Sequence, residues 1–562
     1  MLSAESLQPP HHEIRSISAK CYLLGLCILI MITGCSRPHD QGIKFKKDKP
    51  LIYIKDQFGN HIPDYSSAGY GSGNPIPSVQ TVITLSAQKD RKDDTARLQA
   101  AVDELGARDT GADGLRGAIL LRAGDYYVSG TIQIRDAGIV IRGEGQFENG
   151  TVIHATGNTQ RSLIFISGID PKQDAMNRSH GDAFIYQTDN SSFSEVIDEY
   201  LPSGGHVIQV SPVRGFEAGD TVVLEQRMNL EWVSTLGMDN FPSRPDGQIS
   251  TPWNPEDFVF QFERTIQKVD GGRVYLNEPL VNPIFARFGS SRLFKPKLPG
   301  RIENVGVENL RLVSDYSPTE NDSDEAHAWN GIEFQRARNS WVRGVTAVHF
   351  GNTTVTTGKE SIHITVEDCA FLKPMARFGY GRRHGFINAG QQVLIQRCFA
   401  EDCGFPFFLS ETTVGPNVFL DCYGSGDRTV IGPWRYWAMG GLWDNVYGEK
   451  LMIRNRGYEG DNWGWSGINH MFWNSTAFDW ISVQSPINGW NWAIGSKGNR
   501  IPGPFQGLTG HFSNHDHSTE PRSLYIKQLE DRKGTSQHER LFSQNQRNGT
   551  PLFYLRDTLS ER

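Results

Sequence analysis

Between residues 305 and 477 the chain repeats one arrangement of short apolar runs, and this repetition limits the fold more than any other feature. The runs open at Val305, Ser340, Ile364, Leu394, Val418 and Met471. Each alternates apolar and polar residues, breaks at a polar residue and resumes as a second short strand. Val345, Cys369, Cys398 and Cys422 fall at matching places, with gaps of about 24, 29 and 24 residues. Units of roughly 20–30 residues with β character mean a solenoid. One rung cannot bury its inward side chains alone; stacking makes a continuous core and pairs each backbone group with the next rung. Rungs with longer gaps throw out loops, where sites usually lie.

The flanks differ. Asp94 or Thr95 starts a helix in which Leu98, Ala101, Val102 and Leu105 share one face. Gly-punctuated β runs follow from Arg116 to Gly145, so the helix caps one end of the coil. Between about 171 and 295 the runs read instead as hairpins, with Gly271-Gly272 as a tight turn. This is a β insertion beside the coil, and its Trp232 and Trp253 are placed to reach over a groove. Leu524, Ile526 and Leu529 mark a terminal helix. The expected plan is an all-β solenoid over 76–535 with a capping helix, a β insertion and a C-terminal helix, preceded by an extension over 36–75 and followed by a tail at 536–562.

The first 35 residues read as an export leader. Arg15 and Lys20 precede an apolar run from Cys21 to Thr33, about half a membrane-spanning length. It ends Ile32-Thr33-Gly34-Cys35, which looks like a lipobox with Cys35 as the lipidated residue. Ser36-Arg37-Pro38 and the lysines up to Lys49 read as a tether. The expected location is the bacterial cell envelope: lipid-anchored at the outer membrane or cell surface, or periplasmic. Of seven cysteines, four lie beyond the leader, without zinc spacing. Cys369, Cys398 and Cys422 read as buried thiols in the repeats, and a Cys398–Cys403 disulfide stays open. The net charge is −7, with no basic stripe interleaved with aromatics, so no nucleic-acid partner is expected. The 13 Trp are enough to offer stacking platforms for sugar rings.

Several strings between residues 339 and 495 resemble a group of exported β-helix proteins in the pectate-lyase superfamily. They are Asn339-Ser-Trp-Val-Arg-Gly-Val, Gly381-Arg-Arg-His-Gly-Phe, Gly390-Gln-Gln, Gly415-Pro-Asn-Val-Phe, Gly432-Pro-Trp-Arg-Tyr-Trp-Ala, Gly441-Leu-Trp-Asp-Asn and Asn491-Trp-Ala-Ile-Gly. The likeness runs from about residue 50 to 535. It implies a right-handed parallel β-helix acting on an extracellular polysaccharide. Two positions depart from the group: Gly404-Phe-Pro-Phe-Phe stands for Gly-Arg-His-Asp-Phe, and Trp434 stands for a His after Gly-Pro.

A lyase acting on an acidic polysaccharide needs a cation for the uronate carboxylate, a base for the adjacent proton and an acid for the leaving oxygen. Arg382, Arg383 and His384 offer two guanidinium forks and a base in one loop. Tyr380 or Tyr436 would give the proton. Arg435, Glu411, Glu401, Asp402, Trp437 and His349 would position sugar, with Lys359 and Arg377 nearby in the repeat order. The alternative is a glycoside hydrolase, which needs two carboxyl groups drawn from Glu401, Asp402, Glu411, Asp421 and Asp444. A second alternative is a non-catalytic glycan-binding solenoid. His327 and His470 read as structural. No cofactor is expected. Asp322, Asp324 and Glu325 could hold calcium, against the plainer reading of a solvated loop.

Overall fold

A computed structural model describes residues 42–169, 186–188, 193–317, 323–379, 381–534 and 541–549. The leader, Cys35, Asp322 and Tyr380 lie outside these residues.

Alternating apolar residues pair rung upon rung, and the chain forms the right-handed parallel β-helix. It has three faces. The first runs from Thr81–Leu85 and Gly117–Leu121 through Gly306–Ser314, Ile362–Glu367, Val414–Leu420 and Ala438–Asp444 to His511–Ser513. The second begins at Gly124–Val128 and includes Ala370–Leu372, Phe399–Glu401, Tyr423–Ser425 and Tyr447–Ile453. The third has six strands: Ile132–Ile134, Ser162–Ile166, Asn330–Phe334, Thr353–Thr357, Gly385–Asn388 and Phe407–Leu409. The pairing is parallel throughout the third face, so each strand hands its free edge to the next rung and few edges remain.

The sharp corner between the first and second faces explains the repeat. Asn309, Gly344, Asp368, Arg397, Asp421, Asn445, Asn474 and Gly495 each take a positive φ there, between 49° and 68°. Asn, Asp and Gly tolerate that region best. The next residue then turns inward: Leu310, Val345, Cys369, Cys398, Cys422 and Val446 stack in one apolar core. The expected alignment of Val345 with three cysteines is thus a column of the core. All four cysteines are buried and free, so the Cys398–Cys403 bridge does not form. Arg397, the bulky exception at the corner, is held by Asp368 at 2.7 and 2.8 Å and by Glu367 at 3.0 Å.

The capping helix spans Thr95–Gly106 and buries Leu98, Ala101, Val102 and Leu105. Neither expected cap residue caps it. Asp94 spends its carboxylate on Arg97, Gln88 and the Tyr127 amide, and Asp93 takes the Thr95 amide at 3.0 Å.

The β insertion is a closed six-stranded antiparallel barrel, with Ser194–Val196, Val207–Ser211, Thr221–Met228, Val259–Asp270, Arg273–Leu276 and Gly289–Phe294 as its strands. Gly271 takes φ +60° in the two-residue turn between Asp270 and Arg273. The barrel is welded to the solenoid. Trp232, Trp253, Phe258 and Phe260 share one apolar cluster with Val414, Trp437, Met439, Trp465 and Ile468. Trp232 and Trp253 therefore do not reach over a groove; both are buried in the weld. Beside them Arg264 donates to the Gly415 carbonyl at 3.0 Å, and Gln392 donates to Glu278 at 2.6 Å.

The first face is covered. Leu524–Lys533 forms the terminal helix, capped by the Ser523 side chain, with Leu524, Ile526 and Leu529 buried. Residues 42–68 are no tether. Ile43–Lys44 pairs with Ile52–Tyr53, and Leu51, Ile62, Tyr65 and Ala68 pack with the terminal helix and with Leu394, Val418, Leu442 and Trp473. The tail holds structure as well. Gln544–Asn548 is a short helix with a Ser543 capping box, and its buried Gln546 bonds Arg397 and Asp421.

Candidate functional site

With the first face covered, the third face and the barrel wall beside it leave a cleft. Its solenoid side begins where outward residues Glu333, Thr356, Ile387 and Phe408 stack in register. The next rung crosses the face without regular pairing: the Trp434 amide donates to the Leu409 carbonyl at 3.1 Å. Residues Trp434–Tyr436 thereby sit one rung above Phe408. Lys359, Ala389, Gln391, Thr412 and Val414 face Asp257, Val259 and Gln261 of the barrel across a small cavity.

Aromatic rings form one wall. Trp434 stacks on Phe405 at 5.6 Å with an interplanar angle of 5°, meets Trp463 edge-on at 6.2 Å and lies 5.0 Å from Phe408. Arg435 lies 5.4 Å from the Trp434 ring, 5.0 Å from Tyr436 and 5.6 Å from Trp463. Its nearest carboxylate, Glu411, is 3.9 Å away, beyond hydrogen-bond reach. The Arg435 Nε and the Trp434 Nε1 are buried without a hydrogen-bond partner. Buried donors normally find acceptors, so both mark a place that an oxygen-rich ligand would complete. The Tyr436 hydroxyl donates to Asn462. Burial raises its pKa above the ordinary 10.0, Arg435 opposes this, and Asp461, Glu411 and Asp257 add to the rise. Tyr436 is therefore a protonated phenol at neutral pH, facing carboxylates from both walls.

Of the expected site residues, the structure brings together Arg435, Tyr436 and Glu411, with Lys359 near them; the Lys359 amine donates to the Thr412 hydroxyl at 2.8 Å. The Arg382-Arg383-His384 loop does something else. Arg382 is paired with Glu325 at 2.5 and 3.0 Å and lies over Trp329. Asp324 receives the Ser317 and Ala326 amides and caps a turn. Arg383 is buried; it donates to the Ala376 carbonyl at 2.7 Å and to Asp402 at 2.8 Å, clamping its own loop. His384 is buried too. Its Nδ1 meets the Asn352 amide oxygen at 2.6 Å, and its ring lies 4.9 Å from both Phe408 and Trp434. Burial lowers its pKa to about 3, so it is a neutral, weakly basic ring beneath the aromatic wall. That is a poor general base near neutrality.

Other expected positions also move. Trp437 is core: it packs on Trp232 at 5.2 Å and donates to Asn282, so it offers no sugar platform. Glu401 projects from the second face and takes the Lys373 amide; Asp402 is shared by Arg383 and Arg428. His349 ends a second-face strand against Tyr316, its pKa lowered to about 4 by burial and by Lys373 and Arg311. Asp421 is forked by Arg522, and Asp444 takes the Ser523 hydroxyl and Tyr525 amide, so both hold the terminal helix. Burial raises the Asp444 pKa to about 7. His327 and His470 are buried and bonded on both ring nitrogens, as structural histidines are. Asp257, Asp461 and Asn462 were missed. No local pattern marks them, because the barrel weld and an irregular rung bring them to the cleft.

No family model and no curated protein matches this chain. Solved structures do. One is "Geobacillus virus E2 - ORF18", at TM-score 0.33 and 11% identity over 77% of this chain; the chain spans only 60% of that protein. Another is the tailspike protein of E. coli bacteriophage HK620 in complex with pentasaccharide, at TM-score 0.34 and 12% identity over 85% of this chain and 69% of that one. A third is the catalytic unit of a GH87 alpha-1,3-glucanase from Streptomyces thermodiastaticus, at TM-score 0.31 and 7% identity over 79% and 71% of the two chains.

Proposed function

We propose that this chain is an exported, polysaccharide-active protein of pectate-lyase kinship whose cleft takes an acidic glycan and cuts it by β-elimination. The observation that carries the reading is Arg435: a guanidinium about 30% exposed among three aromatic rings, 3.9 Å from its nearest carboxylate and with a buried, unpartnered Nε. Guanidinium forks match carboxylates, and rings beside them match the apolar faces of sugars. In this scheme Arg435 meets the uronate carboxylate and stabilises the charge that develops as the adjacent carbon loses its proton. Glu411 takes that proton. The C–H electrons form the new double bond, the bond to the 4-oxygen breaks, and Tyr436 protonates the leaving oxygen. Solvent returns the proton from Glu411 to Tyr436.

The test is ultraviolet absorbance of unsaturated uronate over a panel of acidic glycans, with carboxyl-reduced glycans as controls. Absorbance from acidic glycans alone supports the reading. New reducing ends without absorbance would favour hydrolysis, a reading that Glu411 and Asp257 support as carboxylates on opposite walls that both act on Tyr436. Binding with neither product would leave a glycan-binding solenoid. Export on a lipid at Cys35 is part of the same proposal. Labelled fatty acid should enter the wild-type protein and not Cys35→Ser; label in both would remove the anchor.

A further inference from the structure

Beyond Arg435, the irregular rungs gather two more guanidiniums. Arg456 lies 4.1 Å from the Trp463 ring, whose other guanidinium neighbour is Arg435 at 5.6 Å. Arg456 grips Glu459 through bonds of 2.8 and 2.6 Å and donates to the Trp434 carbonyl. Arg454 reaches the same Glu459 only at 3.6 Å, and it lies 5.2 Å from the Trp480 ring. Three cations thus share Glu459 and the distant Glu411. The Arg456 pKa falls to about 10, through burial first; Glu459 opposes this, and repulsion from Arg454 and Arg435 adds smaller contributions to the fall. The Arg454 Nε is buried without a hydrogen-bond partner, as the Arg435 Nε is.

Like charges crowd together at a cost unless something anionic offsets them. Arg456 is spent on Glu459 and the Trp434 carbonyl. Arg454 is not, since 3.6 Å is outside a good hydrogen bond. Its ring neighbour, Trp480, repeats the pairing of Arg435 with Trp434. There are therefore two guanidiniums, each beside an indole and each with an orphan Nε, bridged by the Trp463–Arg456–Glu459 cluster.

We infer that Arg454 with Trp480 forms a second anion subsite at the corner where the second face turns toward the Arg435 point, so that the protein selects glycans carrying anionic groups on neighbouring sugars. Glu459 holds Arg456 in place between the two subsites. The selection rests on the acidic-glycan reading; the anion site itself does not. A glycan charged only at distant sugars would fill one subsite and leave the other cation exposed to repulsion.

Inorganic sulfate is the probe, followed by tryptophan fluorescence of the full chain, with sodium chloride at equal ionic strength as the blank. Wild-type protein should show a saturable change with two classes of site. Arg454→Gln should lose one class, raising its Kd about 10-fold or more, as expected when one charge-assisted contact is lost. Arg435→Gln should lose the other class and keep the first. Arg454→Lys, which keeps the charge without the planar fork, should fall between. An unchanged sulfate response in Arg454→Gln, with its melting temperature intact, overturns the subsite. So does a complete loss of sulfate binding in Arg435→Gln, which would leave one anion point and the acidic-glycan reading untouched. Two sulfate sites on a protein that cleaves only uncharged glycans would uphold the anion site and sink that reading and the selection together.

Discussion

The turn Arg382–His384, which leads into the third face, and the turn Trp434–Tyr436, which crosses it two rungs later, carry similar chemistry in sequence and differ in where their charges end. In the first, Arg383 is sealed by the Ala376 carbonyl and Asp402, and Arg382 by Glu325. In the second, Arg435 stops 3.9 Å from Glu411 and keeps a donor in reserve. The first is a brace that holds the second's floor, since His384 underlies Trp434. An arginine in a loop is a site only if the fold leaves it unpaid by its own carboxylates, and that is settled by partners far off in sequence.

Four measurements would break or sharpen this contrast. The largest effect belongs to Arg435→Ala. It should cut product formation about 10³-fold, the scale of losing a transition-state charge contact, while the melting temperature holds. Arg383→Ala should do the reverse. Orphaning the buried Ala376 carbonyl and opening a void should cost about 3 kcal/mol of stability in urea titration, and activity at low temperature should fall far less than in Arg435→Ala. If the two variants exchange phenotypes, brace and site have been misassigned. Tyr436→Phe comes next, with a loss of about 10²-fold typical of a removed general acid and with unchanged substrate binding.

The smallest effect is a slope. His384 holds its folded pKa at about 3, below the ordinary 6.5. Between those values the unfolded chain binds a proton that the folded chain refuses, so this contribution is present above pH 6.5 and is lost as pH falls toward 3. His384→Gln should flatten stability against pH in that window by up to one proton, about 1.4 kcal/mol per pH unit. An unaltered slope would mean that His384 is solvated and open to substrate after all.

The repeats, the hairpins of the insertion, the capping helix and the terminal helix were legible because each leaves a local pattern. The Val345–Cys422 column shows in spacing alone, since every corner needs one positive-φ residue before one inward residue. Side-chain fate was less legible. Trp437 sits next to Tyr436, yet partners such as Trp232, some two hundred residues earlier, make it core. Asp421 and Asp444 resemble catalytic carboxylates until Arg522 and Ser523 claim them. The extension reads as a tether because its lysines are near the leader, but Leu51 and Tyr65 find partners at Asp531 and Gln528. In each case the deciding contact spans a distance that no window of sequence covers.

That clasp of the two ends has a mechanical consequence. A stack of rungs that meets only its nearest neighbours frays from its terminal rungs. Here Gln528 accepts the Tyr65 amide, the Tyr525 hydroxyl donates to the Ala68 carbonyl, and Arg532 donates to Ser66. The earliest described segment is thereby buckled across the latest rungs. Loss of that short segment would unzip the opposite end of the cylinder first.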